Sequence, residues 1–417
     1  MTDFVLIMPA LQKVVGITNR ELLIKPTPHS NIPLSAIAIG SSLVKNGLDV
    51  KILDFHLHCA EDENELLAEY CRGVTHVGFS CMTNHIPHGL RLTKKVKGIY
   101  PTIKTVWGGI HPSLFPEMTI RHDAIDFVVV GEGEDPLLAL MRGETHPRLF
   151  VKDSVFNTSG KNFKYGSATS LTEPNYELIN LEQYFFKNRG ERNLPLLSSR
   201  GCPSRCTFCV NTVLKNKWRG FSAETTCNLL DSLCQRYRPE HIYFLDENFF
   251  VDKNRAISIV KYLCNIDATW GANIRLRTFN SLSDETLMML KKSGMKEIRA
   301  GAESGSNRIL QILRKGLTVE EIRRAVEKAA NFDLKLILSF MRDLPDETKE
   351  ETQLTLNLVQ WCGQNGVTVI GPQIFRPYPG SEEYDKLVQR GLKTPVSLEE
   401  WGMIIQNANH DSIWYFQ

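Results

Sequence analysis

The chain has 417 residues, of which 42% are hydrophobic and 23% charged; it is long enough for two domains, each with its own core, and its composition is that of a globular protein. With 49 lysines and arginines against 47 aspartates and glutamates the net charge is only +2, so composition points neither to nucleic acid nor to an anionic membrane as partner. Residues 1–9 carry no basic leader, and no run approaches the roughly 18 apolar residues of a membrane span; a cytoplasmic protein is expected.

In the first third, short β-rich runs alternate with helical stretches. Strands are predicted at Phe4–Met8, Asp49–Asp54, His76–Ser80, Thr105–Gly108 and Ile125–Val130, with helices over Leu34–Lys45 and Gly89–Lys97. That rhythm predicts an α/β, doubly wound, Rossmann-like domain over 1–142, with its ligand outside the carboxyl ends of the strands. Periodicity then fades: Thr158-Ser159-Gly160, Gly166-Ser167 and Glu173-Pro174-Asn175 read as loops and turns. Residues 143–192 are the expected connection, with Leu178–Phe186 packing onto one of the domains.

A second β/α series occupies 193–384. Its strands are predicted at Leu194–Ser199, His241–Leu245, Gly271–Leu276, Glu297–Ala302, Lys335–Phe340 and Thr368–Gln373. Helices fill the gaps at Thr225–Arg236, Lys253–Ile266, Asp284–Lys292, Thr318–Asn331 and Lys349–Asn365. Thr318 followed by Glu321, and Ser283 before Asp284, supply N-cap chemistry. Six β/α units fall short of an eight-fold barrel, which predicts an open, partial (β/α)6 barrel. Residues 385–417 are left as a short C-terminal extension.

Ten cysteines are many for a reducing compartment. Cys59, Cys71, Cys81, Cys227, Cys234, Cys264 and Cys362 are scattered, most of them among apolar neighbours, and read as reduced core residues. The other three form Ser199-Arg200-Gly201-Cys202-Pro203-Ser204-Arg205-Cys206-Thr207-Phe208-Cys209, directly after a predicted strand and so on the first β/α loop. Iron–sulfur clusters are commonly held by four thiolates. Three at C-x3-C-x2-C spacing leave one iron open for a second ligand, as catalytic metals require. The alternatives are a zinc site completed by a distant histidine such as His241, or three unrelated core cysteines. Within 193–384 no second Cys or His pair accompanies the three, as a structural zinc site would ordinarily have.

From Leu194 to about Tyr384 the chain resembles the radical S-adenosylmethionine (SAM) superfamily. The likeness rests on Arg200-Gly201-Cys202-Pro203, on Phe208 before the last cysteine, and on Phe244-Leu245-Asp246-Glu247-Asn248-Phe249 after the second barrel strand. Ile298 to Ser306, containing Glu303 and Ser304, and Gln373 to Ser381 match as well. The resemblance implies a [4Fe–4S] cluster on Cys202, Cys206 and Cys209, whose electron cleaves SAM to a 5′-deoxyadenosyl radical. It places Phe208, Asp246, Glu247, Asn248, Arg277, Glu303 and Ser304 around SAM, and implies an electron donor such as flavodoxin or ferredoxin. One departure is that the family's Gly-x-Pro-Gly-Glu-Thr reads Asp343-Leu344-Pro345-Asp346-Glu347-Thr348; aspartate tolerates left-handed backbone better than most residues, or Asp343 faces substrate. Asp343, Arg376 and Tyr378 are the expected substrate-side residues.

The first domain resembles the cobalamin-binding domain that precedes this barrel in a large subfamily. The matching pieces put Ser80, Met82 and Thr83 after the third strand, Gly108, Gly109 and His111 after the fourth, and Gly131, Glu132 and Glu134 after the fifth on the cofactor. Asp54-Phe55-His56 imitates the Asp-x-His-x-x-Gly cobalamin signature, but Cys59 stands at the glycine and the text follows the second strand, so no His56–cobalt bond is expected; His85 and His88 lie nearer a bound corrin. Gly-x-Gly-x-x-Gly is absent after the first strand, against a nicotinamide cofactor. Together the resemblances imply a cobalamin-dependent radical SAM C-methyltransferase, with a non-methylating cyclase or rearrangement enzyme, or a first domain that only docks, as alternatives. After Tyr384 only 33 residues remain, little material for a cap, which leaves the site open to a peptide or protein side chain; a small-molecule precursor is the other substrate class.

Overall fold

The computed structural model describes residues 2–18, 21–26, 31–58, 61–152, 171–188, 190–214 and 217–407, in two compact units. The first unit holds the described residues of 2–152, Thr172–Gly190 and those from Leu392 on; the second holds Leu171 and the described residues of Glu191–Gly391.

The strands of the first unit are β1 (Phe4–Met8), β2 (Gln12–Thr18), β3 (Glu21–Pro26), β4 (Val50–Asp54), β5 (His76–Ser80), β6 (Lys104–Gly108), β7 (Phe127–Val129) and β8 (Leu149–Val151). Six of them form one sheet in the order β4-β1-β5-β6-β7-β8, parallel except for β8, which runs antiparallel to β7. β1 lies between β4 and β5, pairing Phe4 with both Val50 and His76, and all five of its residues are buried. That is the apolar run a strand covered on both faces requires. The doubly wound domain is therefore present, with the strand order reversing at β1. β2 and β3 form a separate antiparallel pair right after β1. Sequence reading left that segment unassigned, because Asn19-Arg20 is not a dipeptide that marks a tight hairpin.

Leu34–Lys45 is helical as expected, and the next predicted helix begins earlier, at Ile86, because Pro87 is tolerated in a first helical turn. The helix Leu181–Lys187 lies in the first unit, where the buried Tyr184 hydroxyl donates to Asp54 Oδ2 at 2.8 Å. The last helix, Leu398–Asn407, also joins this unit: Trp401 is buried against His111 and Phe115, with ring centroids 5.5 and 5.3 Å apart.

The second unit contains β9 (Asn193–Leu196), β10 (Ser199–Arg200), β11 (Arg219–Gly220), β12 (His241–Phe244), β13 (Thr269–Asn273), β14 (Met295–Glu303), β15 (Leu336–Arg342) and β16 (Thr368–Ile374). The six longer strands are all parallel and neighbour one another in chain order, from β9 to β16, with no pairing between the two ends. This is the open partial barrel. The predicted strand Leu194–Ser199 is cut short because the Ser198 N–H is taken by Asp246 Oδ1 at 2.7 Å, after which Ser199 pairs instead with β11.

The expected caps are formed. Thr318 and Glu321 make a reciprocal capping box, and Ser283 accepts from the Thr286 N–H. The aspartates that replace two family glycines have separate accounts. Asp343 adopts left-handed backbone at φ 61°. Asp346 binds Lys386 at 2.8 Å and also Arg390, tying the turn to the helix Glu382–Gln389.

Candidate functional site

The three clustered cysteines lie on the loop that leaves the carboxyl end of β9, and that loop is braced on three sides. Its entry is fixed by Asp246, fully buried, whose carboxylate accepts from the Ser198 N–H, the Ser198 hydroxyl at 2.8 Å and the Ser199 hydroxyl. Arg255 donates to the Ser198 carbonyl at 2.8 Å and to its hydroxyl at 2.7 Å from the other side. Further along, the Thr207 N–H donates to Leu313 O at 3.1 Å, and its hydroxyl to the buried Glu383 at 2.7 Å. Gly201 supplies φ 79° where the chain turns into the cysteines.

Cys202, Cys206 and Cys209 all line one cavity of about 420 Å³ at the carboxyl ends of the barrel strands. Cys206 is 5% exposed and the other two are half-buried. Burial is the main cause that raises the Cys209 thiol above its ordinary value, with the neighbouring cysteines adding to it; a bound metal cluster reverses that preference, since a coordinated thiol is deprotonated. Phe208, Glu247 and Glu303 line the same cavity, together with Asn273, Arg275, Arg299, Lys315 and Ser339. Lys315 Nζ pairs with Glu303 at 2.6 Å and lies 5.9 Å from the Phe208 ring centroid. Glu303 sits at φ 68°, beside Gly301, where an added Cβ would come 1.9 Å from its Oε1. A side chain at 301 would make the Glu303 carboxylate and Lys315 move from their present positions.

Other expected residues point elsewhere. Asp246 is spent on the serines, and Asn248 is buried outside the cavity lining. Ser304 is buried and turned toward Thr355, their hydroxyls 3.2 Å apart. Arg277 is exposed and does not line the cavity; Arg275, two residues earlier, does. Asp343 is exposed and paired with Arg342 at 2.8 Å, and Arg376 and Tyr378 are exposed beyond β16; none of the three lines the cavity. Of the lining residues not singled out in the sequence, Arg275 and Lys315 had no motif to mark them, although Arg275 stands just past the end of β13, where barrel sites form; Arg299 lies within the Ile298–Ser306 stretch, in the middle of β14.

A zinc site using His241 is not formed. His241 opens β12 and bonds Thr269, which opens β13, at 2.9 Å, so it stands at the amino ends of strands whose carboxyl ends face the cysteines. Among the described residues no three His, Cys, Asp or Glu side chains converge on a single-ion position. A four-iron cluster does not ask for that, since each thiolate binds its own iron. The open cavity, three thiols and absence of a fourth cysteine among its lining residues fit such a cluster.

In the first unit the expected cofactor loops gather at the carboxyl edge of the sheet. Ser80 ends β5, Met82 is exposed just beyond it, and the Thr83 hydroxyl meets His111 Nδ1 at 3.2 Å. Gly108 ends β6, and Gly109 has φ 98° with Cys81 backbone atoms 2.8 and 2.9 Å from any added Cβ. Gly131, at φ 75°, donates its N–H to Ser113 Oγ at 2.8 Å; the Glu132 carbonyl accepts from Arg148, and Glu134 opens the helix Glu134–Met141. His111 is fully buried, and burial lowers its imidazole to about 3. Asn84 Oδ1 and His111 Nε2 have no hydrogen-bond partner among the described residues, which fits a polar ligand at these loops.

His56 and His88 are held by protein partners. His56 has Nδ1 3.0 Å from Asp54, and its Nε2 accepts from the Leu11 N–H at 3.1 Å. His88 Nδ1 accepts from the Ala10 N–H at 2.9 Å, while its Nε2 meets Glu63 at 3.1 Å. Both rings have their nitrogens engaged. Cys71, Cys81 and Cys362 are buried free thiols raised by burial; Cys227, Cys234 and Cys264 are half-buried, and Cys59 lies outside the described residues.

Residues 24–141 match the family model for the B12 binding domain, and residues 196–359 match that of the radical SAM superfamily. Over 414 residues the chain is 29% identical to an uncharacterised methyltransferase of Pyrococcus horikoshii, covering 95% of this chain and 87% of that one. It is 23% identical to the anaerobic magnesium-protoporphyrin IX monomethyl ester cyclase of Rubrivivax gelatinosus, across 75% of this chain and 58% of that one. Among solved structures, the radical SAM methyltransferase TsrM of Kitasatospora setae, with cobalamin and a [4Fe–4S] cluster bound, superposes with a TM-score of 0.69 at 15% identity. That superposition covers 95% of this chain and 76% of the other, and it is a likeness of fold. No helix among the described residues is long and apolar enough to cross a membrane.

Proposed function

From a chain that belongs to the radical SAM superfamily and carries a B12-binding domain ahead of the barrel, we propose a C-methyltransferase that acts on an unactivated carbon. When bound, the cluster with SAM supplies a one-electron route to hydrogen abstraction, and cobalamin supplies the methyl group. The protein's residues position and shield. Cys202, Cys206 and Cys209 would hold the irons. Glu247, Glu303 and Lys315 offer charged partners to a zwitterionic amino acid group, while Phe208, Ile274, Ile337 and Ile370 form an apolar wall that limits water. Asp246, Arg255 and Thr207 keep the cysteine loop in place from behind.

The observation that carries the reading is the pairing of three thiols around one cavity with a separate B12-binding sheet in the same chain. The methyltransferase names of two of the proteins it resembles support transfer over other outcomes. The cyclase likeness supports the rival, a cobalamin-dependent reaction without methyl transfer. Cys-loop chemistry is common to both, so the product decides. Reconstituted enzyme is given SAM carrying a deuterated methyl group, with peptide and small-molecule pools as acceptors and a flavodoxin or chemical reductant as electron donor. Deuterated methyl on a carbon of an acceptor supports the proposal, and on a peptide it also supports the open-site reading. SAM turnover to 5′-deoxyadenosine with acceptor mass unchanged by methyl overturns it in favour of the cyclase type.

A further inference from the structure

Arg275 lies in no recognised motif, yet its guanidinium reaches one of the clustered cysteines. It stands two residues past the end of β13 and caps the short helix Leu276–Asn280. Its guanidinium is shared between two elements. Nη1 stands 3.6 Å from Cys206 Sγ, and Nη2 donates to the Lys315 carbonyl. The segment that provides that carbonyl also receives the cysteine loop, through the Thr207 N–H on Leu313 O. Gly316 follows in left-handed backbone at φ 64°, where an added Cβ would sit 3.8 Å from Arg275 Nη2. Cys206 is the most buried of the three cysteines, so water competes least for its sulfur.

We propose that Arg275 is a positioning residue of the iron–sulfur cluster, donating a hydrogen bond to the Cys206 thiolate and holding the reduction potential up. The reduction adds one electron, from an external low-potential reductant, and breaks no protein bond. The reduced cluster carries one more negative charge than the oxidised one. A donor on a ligand sulfur stabilises the reduced form more, and hydrogen bonds to the sulfurs are among the determinants of cluster potential. The inference holds whatever the methyl acceptor is, since it concerns only the cluster.

The test is an EPR-monitored redox titration of the anaerobically reconstituted full chain, without substrate. Arg275→Met removes the donor at similar length. Arg275→Lys keeps the charge but loses the planar fork, and Arg277→Gln alters the exposed arginine two positions on. The expected result is a midpoint moved to more negative potential in Arg275→Met, a smaller move in Arg275→Lys, and none in Arg277→Gln, at equal iron content. A midpoint unchanged in Arg275→Met overturns the proposal. If Arg275→Met assembles no cluster, Arg275→Lys decides: a negative shift supports the hydrogen bond, and an unchanged midpoint reduces Arg275 to a brace for the loop.

Discussion

Replacing Asp246 by alanine separates a structural role from a SAM-binding one. The carboxylate is fully buried and accepts three hydrogen bonds, from the Ser198 N–H, the Ser198 hydroxyl and the Ser199 hydroxyl. Bonds to a charged acceptor contribute about 1.5–3 kcal/mol each, but members of one network do not add. Arg255 lies on the same serine and loses its nearby countercharge. Removing one partner of such a buried charge network costs about 3–5 kcal/mol, and that is the expected loss for Asp246→Ala. Asp246→Asn keeps the shape and one acceptor. The amide has one oxygen where donors approach both carboxylate oxygens, so it leaves part of the network unmade at an expected cost of about 1–3 kcal/mol. Hydrogen exchange by mass spectrometry, on apo-protein peptides covering β9, β10 and β12, reads both losses where a two-domain melt would blur them. Protection in Asp246→Ala within about 0.5 kcal/mol of the parent, combined with weakened SAM binding, would refute the structural assignment.

Three further perturbations follow from the same geometry. His111 titrates near 3 in the folded state because of burial, against about 6.5 when unfolded. Below pH 6.5 the unfolded chain takes the proton first, so the first unit should lose about 1.4 kcal/mol per pH unit down to about pH 3. His111→Gln should flatten that part of the pH–stability curve, and parallel curves would count against it. Gly109→Ala puts a methyl 2.8 Å from the Cys81 carbonyl in left-handed backbone; strain of about 1–2 kcal/mol and overpacking of about 1–3 kcal/mol should combine to destabilise the first unit. An alanine variant as stable as the parent in denaturant would contradict the close approach. Alanine at Cys202, Cys206 or Cys209 should each cut reconstituted iron sharply, and full iron in any one of them would remove that cysteine from the ligand set.

Much of this was legible in the sequence because periodicity and punctuation agreed. Phe4–Met8 was expected as a strand and is one, buried throughout, and Thr318 with Glu321 announced a helix start that the structure closes as a capping box. The three cysteines were readable because ligand spacing on a loop is a local property. The direction in which Asp246 faces was not legible for the opposite reason: it follows β12 as expected, but its orientation depends on Ser198 and Ser199, some 48 residues away. Arg277 against Arg275 was a similar case, since two residues at a strand end differ only in where the chain turns into the helix Leu276–Asn280. The β2–β3 pair escaped because its turn carries no marked dipeptide. Trp401 seemed part of a bare extension, although the helix that bears it completes the core of the first unit.

The account rests on one chain loading two metal cofactors, and anaerobic reconstitution with iron, sulfide and cobalamin, followed by metal analysis, tests that most directly. About four irons, as expected of a [4Fe–4S] cluster, with one cobalt per chain is the predicted result. Zinc in place of iron, or iron without cobalt, would contradict it.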